Sequence, residues 1–109
     1  MKLFMNKNEK YEEPGVHMFF HKQTKEVEQV EKFVRSLSIT IPAKYEDEIY
    51  KLYPTDIYYI ETIDRRTYLY TASRVYESSE NLLSLEKLLE AAGFIRVRKN
   101  CIINKYKLR

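Results

Sequence analysis

Residues 94–104 limit the folds open to this chain more than any other stretch. Two short apolar runs, rich in β-branched residues, flank the polar triplet Arg98-Lys99-Asn100. A half-buried strand alternates its side chains between two faces, so a strand through the triplet would push a hydrogen-bonding side chain into the core. The pattern therefore predicts two strands joined by an exposed turn that carries the triplet.

The composition fits a soluble, folded chain of one domain, with or without an extension. Its 109 residues are 44% hydrophobic and 32% charged, and ten Tyr and five Phe against two Gly favour sheet. We expect an α+β fold that is mostly antiparallel β. The single cysteine, Cys101, excludes an internal disulfide and fits a reducing compartment, so we expect a cytoplasmic protein. No apolar run approaches the roughly 20 residues that span a bilayer.

Positive charge is concentrated at the end of the chain. The net charge is only +3, but residues 94–109 hold six basic residues and no acidic one. This asymmetry favours an anionic partner, although a solvated terminal surface would show it too. Arg and Lys suit phosphate oxygens and guanine, and Asn suits adenine or phosphate, so we expect the triplet to contact nucleic acid.

Two amphipathic helices are predicted from apolar residues at helical spacing. The first covers residues 24–37, with Thr24 as its N-cap. The second starts at Glu80 or Asn81 and ends at Gly93, which takes positive φ at little cost.

Strands are predicted where apolar residues alternate or run together between turn signals. We expect a central strand over residues 57–63 and a hairpin through the polar turn 64–66. Pro42 is expected to stop a strand at 38–41, and residues 43–48 to form a loop. The other predicted strands cover residues 2–5, 16–21, 49–53, 67–71 and 75–77. The division expected is an N-terminal strand-and-helix extension, residues 1–37, and a main domain, residues 38–109.

The order of these elements resembles the LytTR DNA-binding domain of LytR/AgrA-type bacterial transcription regulators. The resemblance covers about half of the chain and is carried by residues 56–61, 68–71, Leu82, Leu85, Leu88, 94–97 and 103–104. It implies small antiparallel β-sheets with a helix between them. It also implies that loops between strands read the major grooves of double-stranded DNA, with homodimers on repeated half-sites.

The resemblance assigns two DNA-facing loops, residues 64–67 and the triplet 98–100. The residues expected to contact DNA are Arg65, Arg66, Thr67, Arg98, Lys99, Asn100 and Lys105. The family often has His-Arg-Ser where this chain has Arg98-Lys99-Asn100, so base preference does not transfer. Asn104 follows an apolar strand, and we expect its side chain to close a turn.

The chain departs from the family pattern at both ends. Residues 1–37 lie outside the usual domain, and no receiver domain is present, as in small regulators often encoded beside a small membrane protein that controls them. The family's closing strands, expected after Asn104, are missing from this sequence. Their absence should leave an unpaired sheet edge, which predicts dimers or exchanged strands.

Other functions have less support. A protein-interaction module could use the first helix and the sheet edge without contacting DNA, and tyrosines on a sheet could stack on RNA bases. We expect no enzyme, cofactor or small-molecule substrate, because the chain has two histidines, one cysteine and no phosphate-binding glycine loop. His17 and His21 have helical spacing for a metal but no companion ligands, so no metal site is expected.

Overall fold

The computed structural model describes residues 1–107, so Arg109, counted above among the basic residues, lies outside them. The first regular element is the helix α1, Lys25–Ser36. The hydroxyl oxygen of Thr24 accepts a hydrogen bond from the amide of Val27 at 3.2 Å, as an N-cap does. The predicted first helix and its cap are confirmed.

The part of the chain before α1 forms no strand. The strands predicted at residues 2–5 and 16–21 are therefore wrong. Their apolar side chains are exposed, with Phe4 at 85% and Phe19 at 93%. A strand needs a partner for its backbone groups, and no sheet edge in residues 1–107 pairs with this segment.

Seven strands form one antiparallel sheet, which confirms the expected fold class. They are β1 (Ile41–Tyr45), β2 (Glu48–Leu52), β3 (Ile57–Ile63), β4 (Arg66–Thr71), β5 (Val75–Ser78), β6 (Phe94–Arg98) and β7 (Cys101–Asn104). Their spatial order is β2-β1-β5-β4-β3-β7-β6. A single residue pair, Lys44 with Glu77, joins β1 to β5. The small sheets that were expected are thus connected, with the β1–β2 hairpin attached through one short contact.

The β1–β2 hairpin corrects the sequence interpretation. Residues 43–45 and Glu48 belong to strands, and only Glu46 and Asp47 form the turn, both at positive φ. Pro42 lies inside β1, opposite Lys51. At Pro42 the strand has a pairing partner only on the β2 side, so the missing N–H interrupts no second ladder.

The core lies on one face of the sheet, under the second helix. α2, Leu82–Leu89, contacts β3, β6 and β7, and the 3-10 turn Glu90–Ala92 continues it. The side-chain oxygen of Asn81 caps α2 by accepting from the amide of Ser84 at 2.8 Å. The buried cluster contains Ile41, Ala43, Leu52, Ile57, Ile60, Leu69, Tyr76, Leu82, Leu85, Leu89, Ala92, Phe94 and Ile102. We call the face of the sheet that packs against α2 the helix face, and the opposite face the outer face.

The connection from α2 to the last hairpin is fixed by two residues. Gly93 has φ +93°, as predicted, and a Cβ at this position would collide with the ring of Tyr106. Asn104 is buried, and its side-chain amide donates to the carbonyl of Ile57 at 3.0 Å while its oxygen accepts from the amide of Tyr106 at 3.0 Å. The expectation that Asn104 closes a turn through its side chain is confirmed.

β6 forms one edge of the sheet, next to β7. Its register shifts between Arg96 and Arg98, where Arg98 is exposed and the side chain of Arg96 is partly covered. Bulges and charged side chains are features that protect edges from pairing with another copy. These features oppose pairing at this edge, and the formation of dimers or exchanged strands stays a prediction. No helix within residues 1–107 is long and apolar enough to cross a membrane.

Candidate nucleic-acid interface

The turn between β3 and β4 contains two residues, Asp64 and Arg65. Both have positive φ, 50° and 68°, which is the conformation of a two-residue type I′ hairpin turn. Residues other than glycine adopt this region at a cost of about 1 kcal/mol each. Arg65 lies at the tip of the hairpin, with its side chain exposed to solvent.

The turn between β6 and β7 is also short. Arg98 ends β6 and Cys101 begins β7, so Lys99 and Asn100 alone make the turn. The predicted polar turn is confirmed, with its first residue belonging to the strand. Arg98, Lys99 and Asn100 are all exposed.

The two turns are bonded to each other. The amide of Thr62, near the end of β3, donates to the carbonyl of Asn100 at 2.9 Å. The side-chain amide of Asn100 donates back to the carbonyl of Thr62 at 3.3 Å. Because β3 leads directly into the first turn, these bonds place both turns at the same end of the sheet.

A groove of about 470 Å³ runs between the turns and the start of α2. Arg65, Arg96 and Lys99 supply its positive charges, and Glu80 is the acid among its lining residues. The remaining lining residues are mainly hydroxyl or amide side chains: Thr62, Thr67, Ser78, Ser79, Asn81, Leu82 and Asn100. Such groups donate hydrogen bonds to phosphate oxygens, so the groove suits an anion with many acceptors.

The turn of β6–β7 is held to α2 by an arginine. Arg96 donates from Nε to the Glu86 carboxylate at 3.1 Å, and its Nη2 lies 3.1 Å from the same oxygen. Its Nη1 donates to the backbone carbonyl of Lys99. Alternation along β6 places Arg96 on the same face as the buried Phe94, so the sequence could predict which face this arginine takes. The sequence could not predict that Glu86 is its partner.

Two of the predicted contact residues lie on opposite faces of β4. Arg66 belongs to the strand, and its guanidinium lies 3.8 Å from the carboxylate of Glu77 on the outer face. Thr67 faces the core and is only 4% exposed. The structure therefore brings Arg65 to the groove, separates Arg66 from it and gives Thr67 a supporting position in its wall.

Lys105 lies at the far end of β7 from Lys99 and Asn100. It starts the 3-10 turn Lys105–Lys107, next to the beginning of β3, and its ammonium lies 5.3 Å from the ring centre of Tyr106. Four residues of strand separate it from the turn, or about 13 Å. The structure does not bring Lys105 together with the other predicted contacts.

Arg74, in the loop between β4 and β5, is held by tyrosines. Its guanidinium lies 4.6 Å from the ring centre of Tyr45 and 5.5 Å from that of Tyr50. Hydrogen bonding to the side chains of Tyr76 and Tyr50 raises the pKa of Arg74 above its ordinary value. This arrangement was not visible in the sequence, because the three tyrosines come from three different strands.

The remaining cations of the turns have no acidic partner in the described part of the chain. Within residues 1–107, Arg65, Arg98 and Lys99 form no ion pair, whereas Arg66 and Arg96 each have one. No group of three or more metal-ligating side chains occurs in the same residues. Among these residues, the two turns therefore carry three exposed cations without an acidic partner, and Arg65 and Lys99 line the groove while Arg98 does not.

The model of one known family matches the chain over residues 47–109, more than half of its length, and is described as the LytTr DNA-binding domain. The chain belongs to the LytTR family. The chain is 30% identical over 105 residues to a sensory transduction protein, LytT of Enterococcus faecalis. The alignment covers 91% of this chain and 43% of that protein. This LytTR chain thus spans less than half of that relative.

A solved structure agrees with the LytTR fold. It is a LytTr DNA-binding domain from a Bacillus cereus response regulator, with a TM-score of 0.61, 23% identity and 64% coverage of each chain. At this identity the likeness establishes the fold alone. The family is one of DNA-binding domains and not of enzymes.

Proposed function

We propose that this chain reads double-stranded DNA through its β3–β4 and β6–β7 turns, as part of a bacterial transcription regulator. The observation that carries the proposal is the bonding of the two turns through Thr62 and Asn100, which places Arg65 and Lys99 beside one groove. LytTR membership and the relative's role as a sensory transduction protein support a regulatory function.

The proposed contacts differ in what they recognise. Lys99 is a point charge suited to phosphate, while the planar guanidiniums of Arg65 and Arg98 suit phosphate or the O6 and N7 atoms of guanine. Asn100 already donates one bond to the scaffold, so its first role is to hold the turn. Sequence preference would come from the two arginines.

The test is duplex binding by the double variant R98A/K99A. Affinity for duplexes selected from a random-sequence library should fall at least about tenfold, and the slope of log affinity against log salt should decrease by up to about two. The matched control is K44A/K51A, which removes two lysines from β1 and β2, at the opposite edge of the sheet from β6. Equal binding by the two double variants, or wild-type binding that ignores salt, would refute the proposal.

We also propose that two copies bind neighbouring half-sites. The two turns lie on adjacent strand pairs, so one copy reaches only a few base pairs of about 3.4 Å each. Sedimentation of the complex with a selected duplex should give two chains per DNA. The cytoplasm is the compartment that this function requires, and control by a small membrane protein stays a prediction.

A further inference from the structure

We propose that Glu86 and Arg96 are positioning residues for DNA recognition, acting through the β6–β7 turn without contacting DNA themselves. The inference rests on the proposed function of this turn. It adds two residues from outside the exposed triplet and assigns an acidic side chain a favourable role in binding a polyanion.

The geometry connects helix, strand and turn through one side chain. One carboxylate oxygen of Glu86 is 3.1 Å from both Nε and Nη2 of Arg96, and Nη1 of the same guanidinium donates to the carbonyl of Lys99. The two side chains are only 31% and 32% exposed, so solvent screens the pair less than a surface pair. Glu86 thus fixes the guanidinium that fixes the turn.

The turn is held from two directions. Asn100 bonds it to β3, and Arg96 bonds it to α2 through Glu86. A two-residue turn has few backbone hydrogen bonds of its own, so these side-chain hydrogen bonds determine the position of the Lys99 backbone, from which its side chain extends. Interactions that support a binding group from behind are the ones that keep its geometry productive.

Electrostatics and positioning make opposite predictions for Glu86. A carboxylate close to bound DNA repels phosphate, so its neutralisation alone should leave affinity unchanged or raise it. If Glu86 instead orients Arg96, its neutralisation should weaken binding. The sign of the change therefore separates the two roles.

The experiment compares E86Q with E80Q in the full chain, using a duplex selected by the wild-type protein. Glu80 lines the same groove and forms no ion pair within residues 1–107, so E80Q removes an equal charge without disturbing Arg96. We expect E86Q to bind roughly three- to tenfold more weakly. E80Q should bind as tightly as wild type or more tightly.

Three further measurements distinguish positioning from general destabilisation. The salt slope of E86Q should equal that of wild type, because no phosphate contact is lost. Hydrogen exchange of the amides at 99–101 should be faster in E86Q, while exchange in β5 and the thermal midpoint stay the same. In a K99A background E86Q should weaken binding by less, since both changes act through one turn.

R96K provides a second, conservative variant. It keeps the charge, but one ammonium cannot reproduce the planar arrangement toward Glu86 and Lys99, so affinity should fall while the protein stays folded. Should circular dichroism show that E86Q is unfolded, R96K decides the question. Unchanged or tighter binding by folded E86Q, or by R96K in its place, overturns the inference while leaving the proposed function intact. Absence of binding by the wild-type chain would instead contradict the proposed function.

Discussion

Arg65 occupies a backbone conformation that its side chain disfavours. Its φ of 68° equals that of Asp47, the second residue of the β1–β2 turn. The same backbone conformation therefore occurs in two hairpin turns, one beside the groove and one at the β1–β2 edge of the sheet. Glycine would relieve the strain at either position. Both turns therefore keep a residue other than glycine at the expense of stability, and of the two only Arg65 lies beside the groove.

Replacement by glycine should separate stability from binding. R65G and D47G should each raise the free energy of unfolding by about 1 kcal/mol, because both remove a side chain from a left-handed position. Only R65G should weaken binding to a selected duplex. Urea unfolding and fluorescence anisotropy would measure the two effects. A binding loss in D47G equal to that in R65G would show that Arg65 has no special contact with DNA.

At the scale of elements, α1 is the least firmly attached part of the fold. Of its twelve residues only Val27 and Ser36 are buried, and it packs mainly on the 3-10 turn Glu90–Ala92. Phe33 adds an edge-to-face contact with Tyr106, with ring centres 5.5 Å apart. An isolated helix of this length is marginal in water, so its helicity depends on these contacts.

Loss of the Phe33 contact should loosen α1 without affecting the sheet. F33A is expected to speed hydrogen exchange across residues 25–36 and to leave exchange in β3 and β4 unchanged. K32A, on the same helix at an exposed position, is the control and should leave both regions unchanged. Faster exchange throughout the sheet in F33A would mean that α1 is part of the cooperative core.

The elements that the sequence predicted well are those with strong local signals. Strand β3 has the predicted bounds, α2 begins after Asn81, and Gly93 has the predicted positive φ. The failures needed information from distant residues. The alternation at 16–21 has no partner strand, and Pro42 fits into β1 only because one side of the strand is unpaired.

The candidate site shows the same division. The triplet stood out because polar residues interrupt an apolar run, and its turn was predicted correctly. Which face Arg66 takes depends on the exact length of the β3–β4 turn, and the bond of Asn100 to Thr62 depends on pairing between strands 38 residues apart in sequence. The Glu86–Arg96 pair joins a helix to a strand ten residues later, a contact that no local pattern specifies.

At the scale of the whole molecule, the outer face of the sheet links stability to alkaline pH. Tyr70 stacks on Tyr59 with ring centres 4.1 Å apart. Burial, and then the nearby carboxylate of Glu61, raise the pKa of Tyr70 above its ordinary value of 10.0. The folded state therefore holds this proton more tightly than the unfolded state. The resulting stabilisation is complete below pH 10 and is lost as the pH rises above it.

Y70F should make stability less dependent on alkaline pH. Urea unfolding between about pH 8 and pH 11 should show a shallower decline for Y70F than for wild type, because phenylalanine has no proton to lose. Y11F replaces an exposed tyrosine in the N-terminal segment and should follow the wild-type curve. Identical curves for wild type and Y70F would show that Tyr70 does not link stability to pH.

The backbone hydrogen bond between Thr62 and Asn100 fixes the distance between the tips of the β3–β4 and β6–β7 hairpins. In the order β4-β3-β7-β6 the two tips are centred two strand spacings of about 4.8 Å apart. In the proposed complex they would therefore meet steps about three base pairs of about 3.4 Å apart along the double helix. One inserted base pair between those steps would carry one arginine out of alignment with its target. If two copies bind as proposed, a change in spacing would be tolerated between their half-sites but not within the half-site of one copy.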